Sequence, residues 1–158
     1  MTPDKIKSLA EASSQVKSWK KAGQKVVFTN GCFDLLHLGH VDYLEKARSL
    51  GDRLVVGLNT DSSVSRFKGP ERPLQDQNSR ARVMASLQFV DLVVFFDEDT
   101  PLNLISELEP NILVKGSDYL AENIVGADVV KKNSGEVKTI DLVPGYSTTR
   151  IVEKIKRT

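Results

Sequence analysis

Five short runs rich in β-branched and aromatic residues recur along the chain, at Lys25–Asn30, Arg53–Leu58, Asp91–Phe96, Ile112–Lys115 and Glu136–Val143. Each reads as a buried strand bounded by turn residues. Helical patterns separate them. Val41, Leu44, Ala47 and Leu50 form one stripe over Gly39–Leu50, with Tyr43 beside it, and Arg80–Leu87 continues the theme. Thr100-Pro101 opens a helix that stops before Pro110, a short one covers Val125–Lys132, and a last one spans Thr148–Lys156 with Ile151, Val152 and Ile155 on its inner face. Strands alternating with helices pair in parallel through right-handed crossovers. The expected fold is therefore α/β, a single doubly wound parallel sheet of about five strands. Such sheets bind ligands beyond the carboxyl ends of their strands, where strand order reverses, and the first strand usually borders that point.

Residues 1–23 precede this alternation. Thr2 as a cap, Pro3 at the first helical position and Asp4 at the positive end of the dipole suggest a helix start, Ile6, Leu9, Val16 and Trp19 recur at helical spacing, and Gly23 is a stop. The expectation is an extra N-terminal helix packed outside a domain of residues 24–158. Asn59–Asn78 is polar, with Gly69, Pro70 and Pro73, and reads as a long loop holding at most one short helix. A chain of 158 residues buries a core without cross-links, and Cys32, its single cysteine, excludes an internal disulfide. The formal net charge of +1 gives no basic stripe for a nucleic acid polymer. Met1–Gly23 is polar and lysine-rich and no apolar stretch is of membrane-spanning length, so no membrane association and a cytoplasmic location are expected.

The unusual residues cluster at Thr29–His40, where the first strand ends. Gly31 lets backbone approach a ligand closely. The loop leads into a helix whose free N–H groups and dipole favour phosphate. His37 and His40, the only histidines, stand three apart and share one side of a first helical turn, with Gly39 leaving room between them. Two imidazoles there can donate to a developing negative charge. Cys32, Asp34, His37 and His40 could instead ligate zinc, but the glycine and the strand-to-helix setting suit phosphate better. The Gly-Lys-Ser/Thr ending of a P-loop is missing, which disfavours ordinary ATPase or kinase chemistry. Cys32 reads as a small packing residue, since nothing near it in sequence would activate a thiol.

His37-Leu-Gly-His40, following a strand and the Gly31-Cys-Phe-Asp34 turn, resembles the His-x-Gly-His signature of the cytidylyltransferase-like nucleotidyltransferases. From Lys25 onward the chain is similar to the branch of that family that adenylylates heptose 1-phosphate. The similarity runs through 55–61, 68–73, 98–101, 113–119, 124–128 and 143–149. The resemblance implies a Rossmann-like nucleotidyltransferase fold and in-line attack of a sugar phosphate on the α-phosphate of ATP, without a covalent enzyme intermediate. It implies that His37, His40 and Lys68 are catalytic, and that Gly31, Cys32, Phe33, Asp34, Gly39, Arg80, Asp118, Ser147, Thr148 and Thr149 join the histidines around the nucleotide. Asn30 and Lys68 are implied for the acceptor. Lys68 matches a mobile-loop lysine, Arg80 a phosphate-directed arginine, and Ser147–Thr149 a Ser-Thr-Thr motif at a helix start. Without the resemblance, Lys68 reads as a solvated lysine, Arg80 as a partner of a surface carboxylate, Ser147 or Thr148 as a helix cap, and Asp118 as a turn residue.

Tyr146 stands where the family often has cysteine, and Ser117 where a second glycine is common. Magnesium is expected with ATP, held largely by the nucleotide and water. Many relatives join this activity to a sugar-kinase half, for which 158 residues leave no room, so kinase activity is expected on a separate chain. Relatives commonly self-associate, so a homo-oligomer is compatible with the resemblance. Two other functions fit parts of the pattern: cytidylyl transfer to glycerol 3-phosphate or a phosphorylated amino alcohol, and a non-catalytic nucleotide-sensing module.

Overall fold

A computed structural model describes residues Met1–Thr158. Five strands, β1 (Val26–Gly31), β2 (Arg53–Asn59), β3 (Leu92–Phe96), β4 (Ile112–Gly116) and β5 (Glu136–Ile140), form one parallel sheet of order β3-β2-β1-β4-β5. Seven α-helices flank it: α1 (Leu9–Lys21), α2 (Leu38–Ser49), α3 (Asp61–Lys68), α4 (Gln77–Ser86), α5 (Leu102–Leu108), α6 (Ala127–Lys132) and α7 (Thr148–Lys156). The order reverses between β1 and its neighbour β4, which puts a crevice beyond the carboxyl ends of these two strands.

The β-branched runs are buried because both sheet faces are covered. On one face Tyr43, Leu44 and Ala47 of α2 and Ala81, Met84 and Ala85 of α4 pack on Val27, Leu54, Val56 and Leu58. On the other, Ala12 and Val16 of α1, Ile105 of α5 and Val130 of α6 pack on Val26, Phe28, Val55 and Leu113. The doubly wound expectation is met in every strand, although β5 ends at Ile140, three residues before the expected boundary.

The amino-terminal helix starts later than Thr2 and packs against the sheet. Thr2–Lys5 forms only a 3-10 turn, and Ile6 then bridges in parallel to Val93 on the sheet edge. The helix begins at Leu9. Ser8 caps it, accepting from Glu11 N at 3.2 Å while the Glu11 carboxylate accepts from Ser8 N at 2.9 Å. This reciprocal box satisfies two orphan donors at once, which a lone Thr2 cap cannot do. Nor does α1 lie outside the fold. Ala12 and Val16 are fully buried in the second core, and burying a valine stabilises by roughly 1.5–3 kcal/mol.

The polar segment 59–78 holds one short helix, α3, as expected, and α4 is the helix expected at Arg80–Leu87, begun three residues earlier. Thr60 caps α3 through Ser63 N, and Asp76 caps α4 through Ser79 N. α7 has the expected bounds but buries no residue completely, and Ile155 is exposed rather than on an inner face.

Candidate active site

The turn from β1 to α2 builds one wall of a cavity of about 580 Å³. Thr29 is fully buried, with its hydroxyl 2.7 Å from Tyr43 Oη and donating to the Val114 carbonyl at 3.0 Å. Tyr43 Oη donates to the same carbonyl at 3.1 Å. One helix and two strands are thereby tied together just beneath the turn. The chain then passes through Phe33, whose φ of 47° lies in the left-handed region that non-glycine residues seldom enter. Its ring meets the edge of His40, with centroids 5.5 Å apart.

His37 caps α2. Its Nδ1 accepts from Gly39 N at 3.1 Å, and His40 Nδ1 accepts from His37 N at 3.3 Å. An Nδ1 that accepts leaves the proton of a neutral imidazole on Nε2. Both rings face the cavity with a donor at the outer nitrogen, centroids 3.9 Å apart. Burial holds both below the ordinary histidine value. His40 falls to about 4, from burial first and then from the charges of His37 and Lys68. The pair is therefore neutral near pH 7. Gly39 is required by close approach: a Cβ there would stand 2.9 Å from His37 Cε1.

Lys68 and Arg72 line the same cavity. Lys68 is the last residue of α3, not part of a long loop, and it is exposed. Gly69, at φ 102°, ends that helix. The segment beyond it is anchored to the β1 turn by Asp34, which accepts from Leu74 N at 2.6 Å and Gln75 N at 2.9 Å. Asp34 thus lines the cavity while its carboxylate positions the loop.

Arg80 departs from its expected role. It is fully buried and lines neither of the two main cavities. Its guanidinium donates to the carbonyls of Cys32 at 2.8 Å, Asn59 at 2.9 Å and Gln75 at 3.0 Å, and pairs with Asp61 at 2.8 Å. With its donors spent on backbone and a carboxylate, Arg80 braces the ends of β1 and β2 and does not present a charge to phosphate. Cys32 is buried, with Sγ 3.7 Å from Asn59 Oδ1, and desolvation raises its pKa. Cys32 turns to Asn59 and Asp34 to the loop, so these two do not converge with the histidines into a zinc-ligand set.

The start of α7 closes the cavity beside His37. Ser147 caps the helix through Arg150 N at 3.1 Å, and Thr148 Oγ1 donates to the Leu35 carbonyl at 3.0 Å, docking the helix on the β1–α2 turn. Thr149 and Tyr146 also line the cavity, and Tyr146 Cβ would stand 3.4 Å from a Cβ added at Gly39. From the end of β4 come Lys115, Gly116 and Asp118. Asn30, Gly31, Cys32, Phe33, Asp34, His37, Gly39, His40, Lys68, Asp118, Ser147, Thr148 and Thr149 are thus all brought to one cavity, and Arg80 alone is not.

Sequence reasoning passed over Arg72, Lys115 and Tyr43. Arg72 and Lys115 lay within stretches that carried the resemblance, but a lysine at a strand end or an arginine in a loop has no spacing signal of its own. Tyr43 sat on a helical stripe where its hydroxyl was invisible to periodicity.

A switch-point cavity, neutral imidazole donors at one helix start and a hydroxyl-bearing second helix start define a nucleotidyltransferase fold and site. The chain belongs to the cytidylyltransferase-like family, whose model matches residues 28–154. It is 60% identical over 152 residues to the bifunctional protein HldE of Magnetococcus marinus, covering 96% of this chain and 31% of that protein. It is 61% identical over 142 residues to the bifunctional protein HldE of Gluconobacter oxydans, covering 90% of this chain and 30% of that one. The chain therefore spans about a third of the length of these relatives. Among solved structures, the lipopolysaccharide core biosynthesis protein from Thermoplasma volcanium is similar with a TM-score of 0.61 and 32% identity, over 77% of this chain and 98% of that one. Pantoate-beta-alanine ligase from Francisella tularensis shares the fold, with a TM-score of 0.58 at 16% identity over 97% of this chain and 78% of that one. No helix is long and apolar enough to cross a membrane.

Proposed function

We propose that the chain transfers the adenylyl group of ATP to D-glycero-β-D-manno-heptose 1-phosphate, releasing pyrophosphate and forming ADP-heptose for lipopolysaccharide cores. The observation that carries the reaction type is the pair of neutral imidazoles with Nε2 donors on a cavity that the start of α7 also enters. The choice of sugar rests on the residues at 113–119, 124–128 and 143–149 and on the similarity to HldE proteins and to a lipopolysaccharide core biosynthesis protein.

In this reading an acceptor phosphate oxygen attacks the α-phosphorus, a new P–O bond forms, and the bond to the bridging oxygen of pyrophosphate breaks. Attacking and leaving oxygens carry charge without needing a protein nucleophile, so the work is positioning and charge stabilisation. His37 and His40 donate to phosphate oxygens as charge moves toward pyrophosphate. The free N–H groups and hydroxyls at Ser147–Thr149 hold the outer phosphates. Lys68 and Arg72, which line the same cavity, add positive charge.

Magnesium chemistry fits the donor set. Asp118 is a cavity carboxylate that accepts no side-chain hydrogen bond, Asp34 is the other, and no three His, Cys, Asp or Glu side chains gather to hold an ion by themselves. Such a site suits a hard cation carried mainly by phosphates and water. When bound, magnesium would neutralise triphosphate charge.

Pyrophosphate release with magnesium, testing ATP and CTP against heptose 1-phosphate and glycerol 3-phosphate, is the experiment. Release with ATP plus heptose 1-phosphate alone is expected. Release with CTP plus glycerol 3-phosphate would replace the substrates, and nucleotide binding without release from any pair would indicate a sensing module.

A further inference from the structure

A second cavity, of about 510 Å³, opens on the other side of the β1 and β4 strand ends. Asn30, Gly31, Cys32, Lys68, Lys115 and Tyr119 line both cavities, so the two meet along one shared wall. Beyond that wall the second cavity runs between the end of β3, the start of α5 and the 123–125 segment. Phe67 and Phe96 supply apolar surface, while Asn59, Asp99, Thr100 and Asn123 bring polar groups. A small polyhydroxylated ring needs this mixture, with faces against carbon and edges against donors and acceptors.

Lys115 stands at the junction. Its ammonium donates to the Asn30 carbonyl at 3.3 Å and lies 5.3 Å from the Tyr119 ring centroid. It takes part in none of the ion pairs of the molecule. Desolvation by burial lowers its pKa, with the charge of Asp118 acting the other way. A half-buried cation without a paired carboxylate is costly unless an anion joins it. Beside it, Asn30 Oδ1 is buried with no hydrogen-bond partner, an acceptor waiting for a donor.

Resting on the adenylyltransferase reading, we propose that the second cavity binds the sugar of a sugar phosphate, with Lys115 and Lys68 gripping its phosphate on the wall shared with the nucleotide cavity. Lys115 places a phosphate oxygen facing the α-phosphorus, and Asn30 Oδ1 accepts from a sugar hydroxyl. Lys115 is thereby an acceptor-binding residue, whereas the histidines serve the nucleotide.

Three variants test this in the intact chain: Lys115→Met, the charge-keeping Lys115→Arg, and Val125→Trp, which fills the second cavity from a residue that lines it alone. In steady-state kinetics Lys115→Met and Val125→Trp should raise the KM for the sugar phosphate about tenfold or more, roughly the effect of one lost charged contact. The affinity for ATP should stay within about twofold and the melting temperature should hold. Lys115→Arg should recover part of the loss. Binding of inorganic phosphate to protein saturated with a non-hydrolysable ATP analogue gives a readout that needs no turnover, and Lys115→Met should weaken it about tenfold. Loss of ATP affinity in proportion to acceptor KM would move Lys115 to the triphosphate. Unchanged acceptor KM and phosphate affinity in folded variants would overturn the assignment. Absent turnover by the unaltered chain would sink the adenylyltransferase reading, and the phosphate titration would still decide the role of Lys115.

Discussion

His37 and His40 hold their rings through backbone N–H groups at the start of a helix that is packed into the core, whereas Lys68 and Arg72 reach the same cavity from an exposed helix end and the loop after it. Beneath the first wall, Thr29 and Tyr43 share the Val114 carbonyl, and beneath the second, Asp34 accepts two loop N–H groups and Arg80 braces three carbonyls. The histidine wall fixes where donors stand before any ligand arrives, which is how electrostatic preorganisation lowers a barrier. The lysine wall leaves Lys68 exposed at a helix end, where its charge can close on a ligand. α3 is kept in place on its outer side by Arg66, which pairs with Asp97 and Asp99, and exposed pairs of this kind contribute little each.

The sharpest way to break this contrast is His40→Ala. Removing one preorganised donor should lower kcat on the order of 10²- to 10³-fold, while the urea midpoint moves little. A folded variant with ordinary turnover would remove His40 from the chemistry. Arg80→Met comes next and should act in the opposite currency. It strips Cys32, Asn59 and Gln75 carbonyls of their donor and should cost about 3 kcal/mol of stability by denaturant unfolding. A stable Arg80→Met with weakened ATP binding would restore the phosphate role expected from sequence.

Lys68→Ala should lower kcat/KM roughly 10- to 100-fold with no change in melting temperature, since the side chain is exposed and unpaired with a carboxylate. A large stability loss would make that wall structural after all. Ser147→Ala should cost about 1 kcal/mol through the lost cap and weaken ATP more than the sugar phosphate. The reverse order would place the triphosphate elsewhere.

The smallest effect to measure is the titration of His40 by NMR, expected at about 4 in the ligand-free protein. Between the ordinary value of 6.5 and about 4, the unfolded chain binds a proton at His40 that the folded chain does not. Stability should therefore fall as pH drops through that window and be fully present above it. A midpoint near 6.5 would mean that the ring is solvated and the wall looser than its hydrogen bonds imply.

The alternation of β-branched runs with helical stripes determined the sheet, its parallel sense and the location of the crevice, because period and crossover rules act locally and along the chain. The same holds for His37, Gly39, His40 and Ser147, which lie at element ends where function and capping both leave a signal in sequence. At the amino terminus Thr2-Pro3-Asp4 set the expected helix start, and the structure moves it to Leu9, where Ser8 and Glu11 cap each other and Ile6 bridges to Val93 before the helix begins. Hydrophobic spacing marked α1 as a helix without saying what it covers, and tertiary packing placed Ala12 and Val16 in the core.

Charged residues were the least legible. Lys68, Arg72, Arg80 and Lys115 are all single cations in polar or strand-end settings, and nothing in their spacing separates a brace from a ligand. The difference lies in what surrounds each after folding. Arg80 meets carbonyls of Cys32, 48 positions away, and Asn59, 21 positions away, while Lys115 meets the Asn30 carbonyl across 85 positions at the junction of two cavities. Sequence by itself determined which fold this chain makes and which turn, from β1 to α2, lines its cavity. Only the tertiary structure decided which of its cations are left for a ligand, because a buried charge takes its role from partners that distant segments bring to it.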